Sequence, residues 1–175
     1  MPKPSKAVFF DRDGTLNVNT EYLHDKADFV WIDGAIEAIR RCRRAGFLVI
    51  VVTNQSGVAR GFYPEQDVNK LHEWMNEDLA GFNAHIDRFY YCPHHPEAAV
   101  AAYRKKCNCR KPNTGMIDAA CADFNIDRSR SWLVGDRATD MQTADAAGLQ
   151  KILYTGGNLC ELLEQHIFTG ERDCK

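Results

Sequence analysis

The sequence predicts an α/β fold in one domain, a parallel sheet with helices packed on both faces. Two observations predict it. Apolar, β-rich runs recur at 7–10, 47–52, 86–91, 132–134 and 151–154, and most of the intervals between them carry helical patterns. A chain of 175 residues with 45% hydrophobic content is also large enough to bury a core without help from disulfides.

Taken in order, the first strand, Ala7 to Phe10, runs directly into Asp11-Arg12-Asp13-Gly14-Thr15. The connection from Asn17 to Ile32 is long and aromatic, of a kind that is often functional in compact domains. Ile36 and Ile39 at near-helical spacing predict a helix over Ala35 to Arg44, stopped by Gly46. After the second strand, Phe47 to Val52, the clearest helix covers Pro64 to Leu79. Val68, Leu71, Met75 and Leu79 form its core-facing stripe, and Pro64, Glu65 and Asp67 suit its first turn. The third strand, Ile86 to Tyr91, leads into an irregular segment, Pro93 to Lys106. Shorter helices, Met116 to Phe124 and Asp140 to Ala147, flank the fourth strand, Trp132 to Val134, and Lys151 to Tyr154 is the last strand.

Composition excludes several classes of function. The net charge is −2 with no long run of one sign, which argues against nucleic acid as a partner. No stretch approaches the length of apolar sequence that a membrane span needs, and the N-terminus lacks an apolar signal region, so a soluble cytoplasmic protein is expected. Seven cysteines is an odd number, and Cys92, Cys107 and Cys109 crowd one segment, a pattern that favours metal over disulfides. Cys42, Cys121, Cys160 and Cys174 read as buried or incidental thiols, and His72, His85 and His166 have no partner cluster.

The chemistry gathers at the strand ends. In open parallel sheets the ligand crevice lies beyond the carboxyl ends of the strands. There the chain places Asp11 and Asp13 after the first strand, Thr53-Asn54-Gln55-Ser56 after the second and Gly135-Asp136-Arg137 after the fourth, with Lys111 in the loop before a helix. Two carboxylates at i and i+2 point to the same side of an extended chain and repel each other. A metal, or division into nucleophile and acid, resolves the conflict. The set suits phosphoryl transfer: Mg²⁺ shared by Asp11, Asp136 and a phosphate oxygen, with Lys111, the Thr53 hydroxyl and N–H groups near Asn54, would neutralise and orient the phosphoryl group. Asp11 then serves as nucleophile and Asp13 as the acid that protonates the departing alkoxide and later the base for water.

Cys92-Pro93-His94-His95 and Cys107-Asn108-Cys109 supply two ligand pairs that suit tetrahedral Zn²⁺. Cys92, His94, Cys107 and Cys109 are the expected ligands, with His95 a competitor for the fourth place. A disulfide between Cys107 and Cys109 would close a strained ring. A zinc scaffold without catalysis, or a zinc ribbon on nucleic acid, are the competing readings.

In the order DRDGT, a strand ending in Thr53, Lys111, and Gly135-Asp136-Arg137-Ala138-Thr139-Asp140, these motifs resemble the haloacid dehalogenase (HAD) superfamily of phosphotransferases over Ala7 to about Tyr154. The resemblance implies a three-layer Rossmann-like fold with strand order 3-2-1-4-5, a small or absent cap, and a single catalytic domain over residues 1–175 with a zinc loop at 92–109. It also implies Mg²⁺ on Asp11, the Asp13 backbone carbonyl and Asp136. The zinc loop, with Thr53-Asn54-Gln55-Ser56-Gly57, looks like the branch containing heptose bisphosphate and histidinol phosphatases, and the long insert with His95-Pro96 resembles the heptose side. That branch implies substrate contacts at Asn19, Thr20, Glu21, Tyr22, Thr53, Asn54, Gln55, Ser56, Arg110, Lys111 and Arg137. Arg110 and Arg137 are cations beyond those the transferring phosphate needs, which suits a sugar bisphosphate. The expected activity is removal of the 7-phosphate of a heptose 1,7-bisphosphate by a monomeric enzyme, within nucleotide-activated heptose (lipopolysaccharide core) biosynthesis. Histidinol phosphate is the alternative substrate.

Overall fold

A computed structural model describes residues 3–169. Five parallel strands form one sheet: β1 (Lys6–Phe10), β2 (Phe47–Asn54), β3 (Arg88–Cys92), β4 (Trp132–Gly135) and β5 (Gln150–Leu153). Their order is β3-β2-β1-β4-β5, which puts β1 in the centre as expected. The helices are α1 (Ala35–Arg44), α2 (Ser56–Ala59), α3 (Glu65–Ala80), α4 (Gly115–Phe124), α5 (Ala138–Ala147) and α6 (Leu159–His166).

Strand alternation divides the core into two layers. Val8 and Phe10 of β1, with Val49 and Val51 of β2, face α1, α3 and α6. Ala7 and Phe9, with Ile50 and Val52, face α4 and α5. Because both faces of β1 and β2 are covered, these strands read as unbroken apolar runs. The stripe on α3 lies in the core as its spacing predicts, with Val68, Leu71, Met75 and Leu79 all buried. Gly46, which follows the cap residue Ala45 of α1, adopts a positive φ of 76°, the conformation that stops a helix.

Boundaries of the other elements shift by a few residues. The third strand starts at Arg88, since Ile86 precedes the ladder and is held by Asn76, whose side chain bonds both its N–H and its C=O. Two helices carry too weak a pattern to be anticipated. The short α2 has a single turn, and α6 is defined by its Asn158 cap, which accepts from the Glu161 N–H, and by Leu159 and Leu163 packing in the core beside α1. Cys42 is a buried free thiol and Cys121 a free one, but Cys160 is disulfide-bonded, contrary to its reading as a thiol; Cys174 lies outside the described residues. Among the described residues, no helix is long and apolar enough to cross a membrane.

The Asn17–Ile32 connection is ordered by its aromatic side chains. Phe29 meets Trp31 and Trp74 edge-on, and the Trp31 indole N–H donates to Asp78 on α3 at 2.7 Å. Backbone bonds from Val18 to Val30 and from Ile32 to Leu16 close its base, so its tip at 19–22 stands over the carboxyl end of β1.

Met75, fully buried between α3 and the sheet, tests this packing. Met75→Ala should lower the unfolding free energy by about 3 kcal/mol, within the range for truncating a buried large side chain. Urea denaturation measures it, and a loss below about 1 kcal/mol would mean that α3 docks without this contact.

Candidate active site

Every strand end that the sequence marked as chemical opens on one cavity of about 580 Å³ at the carboxyl edge of the sheet. Asp11 and Asp13 both line it, so the i, i+2 spacing does bring their side chains to one side. Asn19, Glu21 and Tyr22 line it from the long connection, Thr53 to Ser56 from the end of β2, and Arg110, Lys111 and Arg137 from the loops. Thr20 is exposed and lies outside the lining.

Separate cations hold the paired aspartates. Lys111 is buried, and its Nζ lies 2.9 Å from Asp11 Oδ1 and 2.6 Å from Asp140 Oδ1 and donates to the Val52 carbonyl at 2.9 Å. Burial pushes the Asp11 carboxyl up to about 7, against the pull of Lys111. Arg12, fully buried, instead serves Asp13. Its Nε and one terminal nitrogen reach the carboxylate at 3.0–3.2 Å, while the other terminal nitrogen donates to His72 Nε2 at 3.2 Å. His72, stacked on Phe89, must accept that bond and is therefore neutral; burial and Arg12 both hold its pKa well below the usual histidine range. Sequence reasoning missed both Arg12 and His72, because neither has a local signal for a partner sixty positions away.

Asp140 has a role in the site that its place in the sequence does not assign. Besides capping α5 by accepting from the Arg137 N–H at 3.1 Å, it is buried against Lys111. Its spacing of four from Asp136 was the available signal. Asn54 also has a role that its type did not disclose. Its side-chain amide pairs with the Lys111 backbone, accepting from the N–H at 3.0 Å and donating to the C=O at 3.2 Å, so it fixes the lysine in place.

The donor set fits a hard divalent cation. Asp11, Asp136 and Asp140 each bring a carboxylate oxygen within 4.8 Å of the others. Lys111 is the cation among them, so negative charge is in excess, and Asp136 Oδ1 is buried with no hydrogen-bond partner among the described residues. Gly14 explains how Asp136 approaches so closely: a Cβ at Gly14 would collide with the Asp136 carboxylate, and its φ of 85° disfavours any other residue.

A second cluster forms where Cys92 ends β3. The three sulfurs of Cys92, Cys107 and Cys109 lie 3.2–3.4 Å apart, too long for a disulfide, and His94 Nδ1 lies 3.5 Å from Cys109 Sγ and 3.7 Å from Cys92 Sγ. Edges of this length approach the roughly 3.8 Å sulfur–sulfur edge of a tetrahedral zinc–thiolate site. His94 occupies the fourth corner; His95 accepts the Glu97 N–H instead. The segment is tied to α3 by Glu65, which accepts from the Tyr91 and Tyr103 hydroxyls at 2.9 Å each. Arg110 in turn donates to the His94 carbonyl at 3.3 Å.

Comparison with known proteins agrees with this geometry. A hydrolase-like family profile, described as HAD-hydrolase-like, matches residues 108–169. The D-glycero-β-D-manno-heptose-1,7-bisphosphate 7-phosphatase of Escherichia coli K12 is 46% identical over 158 residues, covering 89% of this chain and 83% of that protein. Among solved structures, a HAD-like protein from Mesorhizobium loti superposes with a TM-score of 0.87 at 34% identity, covering 99% of this chain and 91% of that one. The D,D-heptose 1,7-bisphosphate phosphatase of B. bronchiseptica, complexed with magnesium and phosphate, superposes with a TM-score of 0.77 at 32% identity, covering 93% and 87%.

Lys111→Met would leave the buried Asp11 and Asp140 carboxylates facing each other without a cation. Removing one partner of a buried ion pair costs about 3–5 kcal/mol. Urea denaturation at pH 7 should show a loss of that order; a change below about 1 kcal/mol would show that the ammonium does not hold these elements together.

Proposed function

The chain belongs to the HAD-like hydrolases, and from that premise we propose that it is the phosphatase that removes the 7-phosphate of D-glycero-β-D-manno-heptose 1,7-bisphosphate. Its identity to curated enzymes of that name extends over most of the chain and supports the reading. The single observation in the fold that carries it is the gathering of Asp11, Asp13, Thr53 and Lys111 with two further cations, Arg110 and Arg137, around one cavity. A monophosphate would leave those arginines unused.

In this reading an Asp11 oxygen attacks phosphorus as the bond from phosphorus to the sugar O7 breaks, and the proton of Asp13 passes to the departing alkoxide. Water then attacks the aspartyl-phosphate, Asp13 takes its proton, and the bond to Asp11 breaks to free inorganic phosphate. Thr53 donates to an equatorial oxygen, and the Lys111 ammonium beside Asp11 lends its positive charge to the phosphoryl group, whose charge must be met during both transfers. Mg²⁺, when held by Asp11, Asp136 and the Asp13 carbonyl, supplies the remaining positive charge. Arg110 holds the 1-phosphate and Arg137 the rim, so binding energy from the unreactive phosphate orients the reactive one. Asn19, Glu21 and Tyr22 close over the sugar. The whole chain acts as one cytoplasmic, monomeric catalytic unit, and Cys92, His94, Cys107 and Cys109 hold Zn²⁺ to order the loop that carries Arg110 and Lys111.

Phosphate release tests the reaction. The heptose 1,7-bisphosphate should yield the 1-phosphate, with kcat/KM at least about a hundredfold above histidinol phosphate, which lacks a second phosphoryl group. Asp11→Asn should abolish turnover while keeping the fold. Preference for histidinol phosphate, or release of the 1-phosphate first, would overturn the substrate; turnover by Asp11→Asn would overturn the mechanism.

Metal analysis tests the loop. Purified protein should carry one zinc per chain, and Cys107→Ala with Cys109→Ala should lose it together with affinity for the bisphosphate. Unaltered protein prepared without chelators and found free of zinc would refute the assignment.

A further inference from the structure

We propose that Gln55, held in place by Tyr63, is a positioning residue that orients Asp13 and Thr53 together and does not bind substrate through its side chain. The inference rests on the reading of Asp13 as acid and base. Although Gln55 borders the cavity, its side chain is buried and its hydrogen-bonding capacity is filled. Nε2 donates to Asp13 Oδ2 at 2.9 Å and to Thr53 Oγ1 at 2.8 Å. Oε1 accepts from the Tyr63 hydroxyl at 2.9 Å and from Arg12 at 3.3 Å. An amide has two N–H donors and two acceptor lone pairs, so nothing is left for a ligand.

The partners also fix which way the amide points. A guanidinium can only donate, so Oε1 must face Arg12, and Nε2 is left to face Asp13. The consequence reaches Thr53. Because Thr53 Oγ1 accepts from Gln55, its own O–H remains free to donate to a phosphoryl oxygen. A reversed amide would draw that proton away from substrate and set oxygen against the Asp13 carboxylate. One side chain thereby sets the polarity of one transition-state donor and the direction of the proton-transferring carboxylate.

Tyr63 holds the amide in place. Its ring is buried, stacked on His24 with centroids 4.5 Å apart and planes 15° apart. It also packs against Gly57, where a Cβ would collide with the ring and hydroxyl of Tyr63. His24 belongs to the long connection after β1 and Gly57 to α2. Both segments that frame the cavity therefore converge on Tyr63, and through Gln55 on Asp13.

The test compares Gln55→Leu and Tyr63→Phe with unaltered enzyme and with Asp13→Asn, all loaded with Mg²⁺, on two substrates. The 7-phosphate ester has an alkoxide leaving group that needs a proton, whereas p-nitrophenyl phosphate does not. For the variants, kcat on the bisphosphate should fall about tenfold or more for Gln55→Leu and several-fold for Tyr63→Phe, with KM little changed, as for partial loss of an acid–base contribution. On p-nitrophenyl phosphate, stopped-flow traces should show a burst of nitrophenol approaching one per enzyme, slowed only modestly through Thr53, and then much slower turnover. The first transfer proceeds without an acid, while hydrolysis of the aspartyl-phosphate still needs the base. A merely structural defect would slow burst and turnover alike and overturn the proposal. So would a raised KM with unchanged kcat in Gln55→Leu, which would mean that the amide binds substrate. Asp13→Asn separates the two levels: if it lacks the burst, the acid–base assignment fails and the proposal with it, whereas a burst in Asp13→Asn alone overturns only the role of Gln55 and Tyr63.

Discussion

One buried ammonium joins the parts of this molecule that the chain keeps far apart. Lys111 Nζ meets Asp11 at the end of β1, the Val52 carbonyl in β2 and Asp140 in the first turn of α5. Desolvating a lysine is costly, and here the cost is offset only because three oxygens surround it at hydrogen-bond distance. Its backbone is fixed as firmly, by the two bonds to the Asn54 side chain. The same arrangement leaves carboxylates in excess over cations around Asp136, so the interaction that closes the sheet end also leaves it short of positive charge. A hard divalent ion suits that deficit, and an anionic phosphoryl group would need such an ion beside it to approach.

Arg12 gives the other aspartate a different environment. Whereas Asp11 shares a lysine with Asp140, Asp13 faces a guanidinium, the Gln55 amide and the Asn17 amide. Two carboxylates separated by one residue thus escape direct competition for a single cation. Their distinct partners suit the distinct tasks proposed for them, nucleophile for Asp11 and acid and base for Asp13. Arg12 can be buried without loss because every side of its guanidinium finds an acceptor, down to the neutral His72 ring and the Leu23 carbonyl.

The cysteine cluster acts at a distance from this chemistry but on the same loop. Cys109 is followed directly by Arg110 and Lys111, and the cluster sits where β3 ends, so an ion among the sulfurs would fix the loop from one side while Glu65 fixes it through two tyrosines from the other. Anchoring a long irregular segment at both ends lowers the entropy lost when its arginine engages a ligand.

By itself the sequence determined the layers, the strand order implied by its motifs, the two aspartates, Thr53, Lys111, Asp136 and the cysteine–histidine set. The strand order rests on the family resemblance and Lys111 on its place in a loop before a helix; the others have a local signature: an apolar run, a helical stripe, or reactive residue types placed where a strand ends. The four-residue interval from Asp136 to Asp140 was also visible, though not its meaning. What only the tertiary structure decided is how the polar side chains are paired. Arg12 with His72, Asn54 with the Lys111 backbone, Gln55 with Tyr63, and His94 in preference to His95 are contacts across separate elements. Hydrogen bonds are short and directional, so a partner is chosen by where folding brings each donor and acceptor, and no periodicity along the chain records that choice.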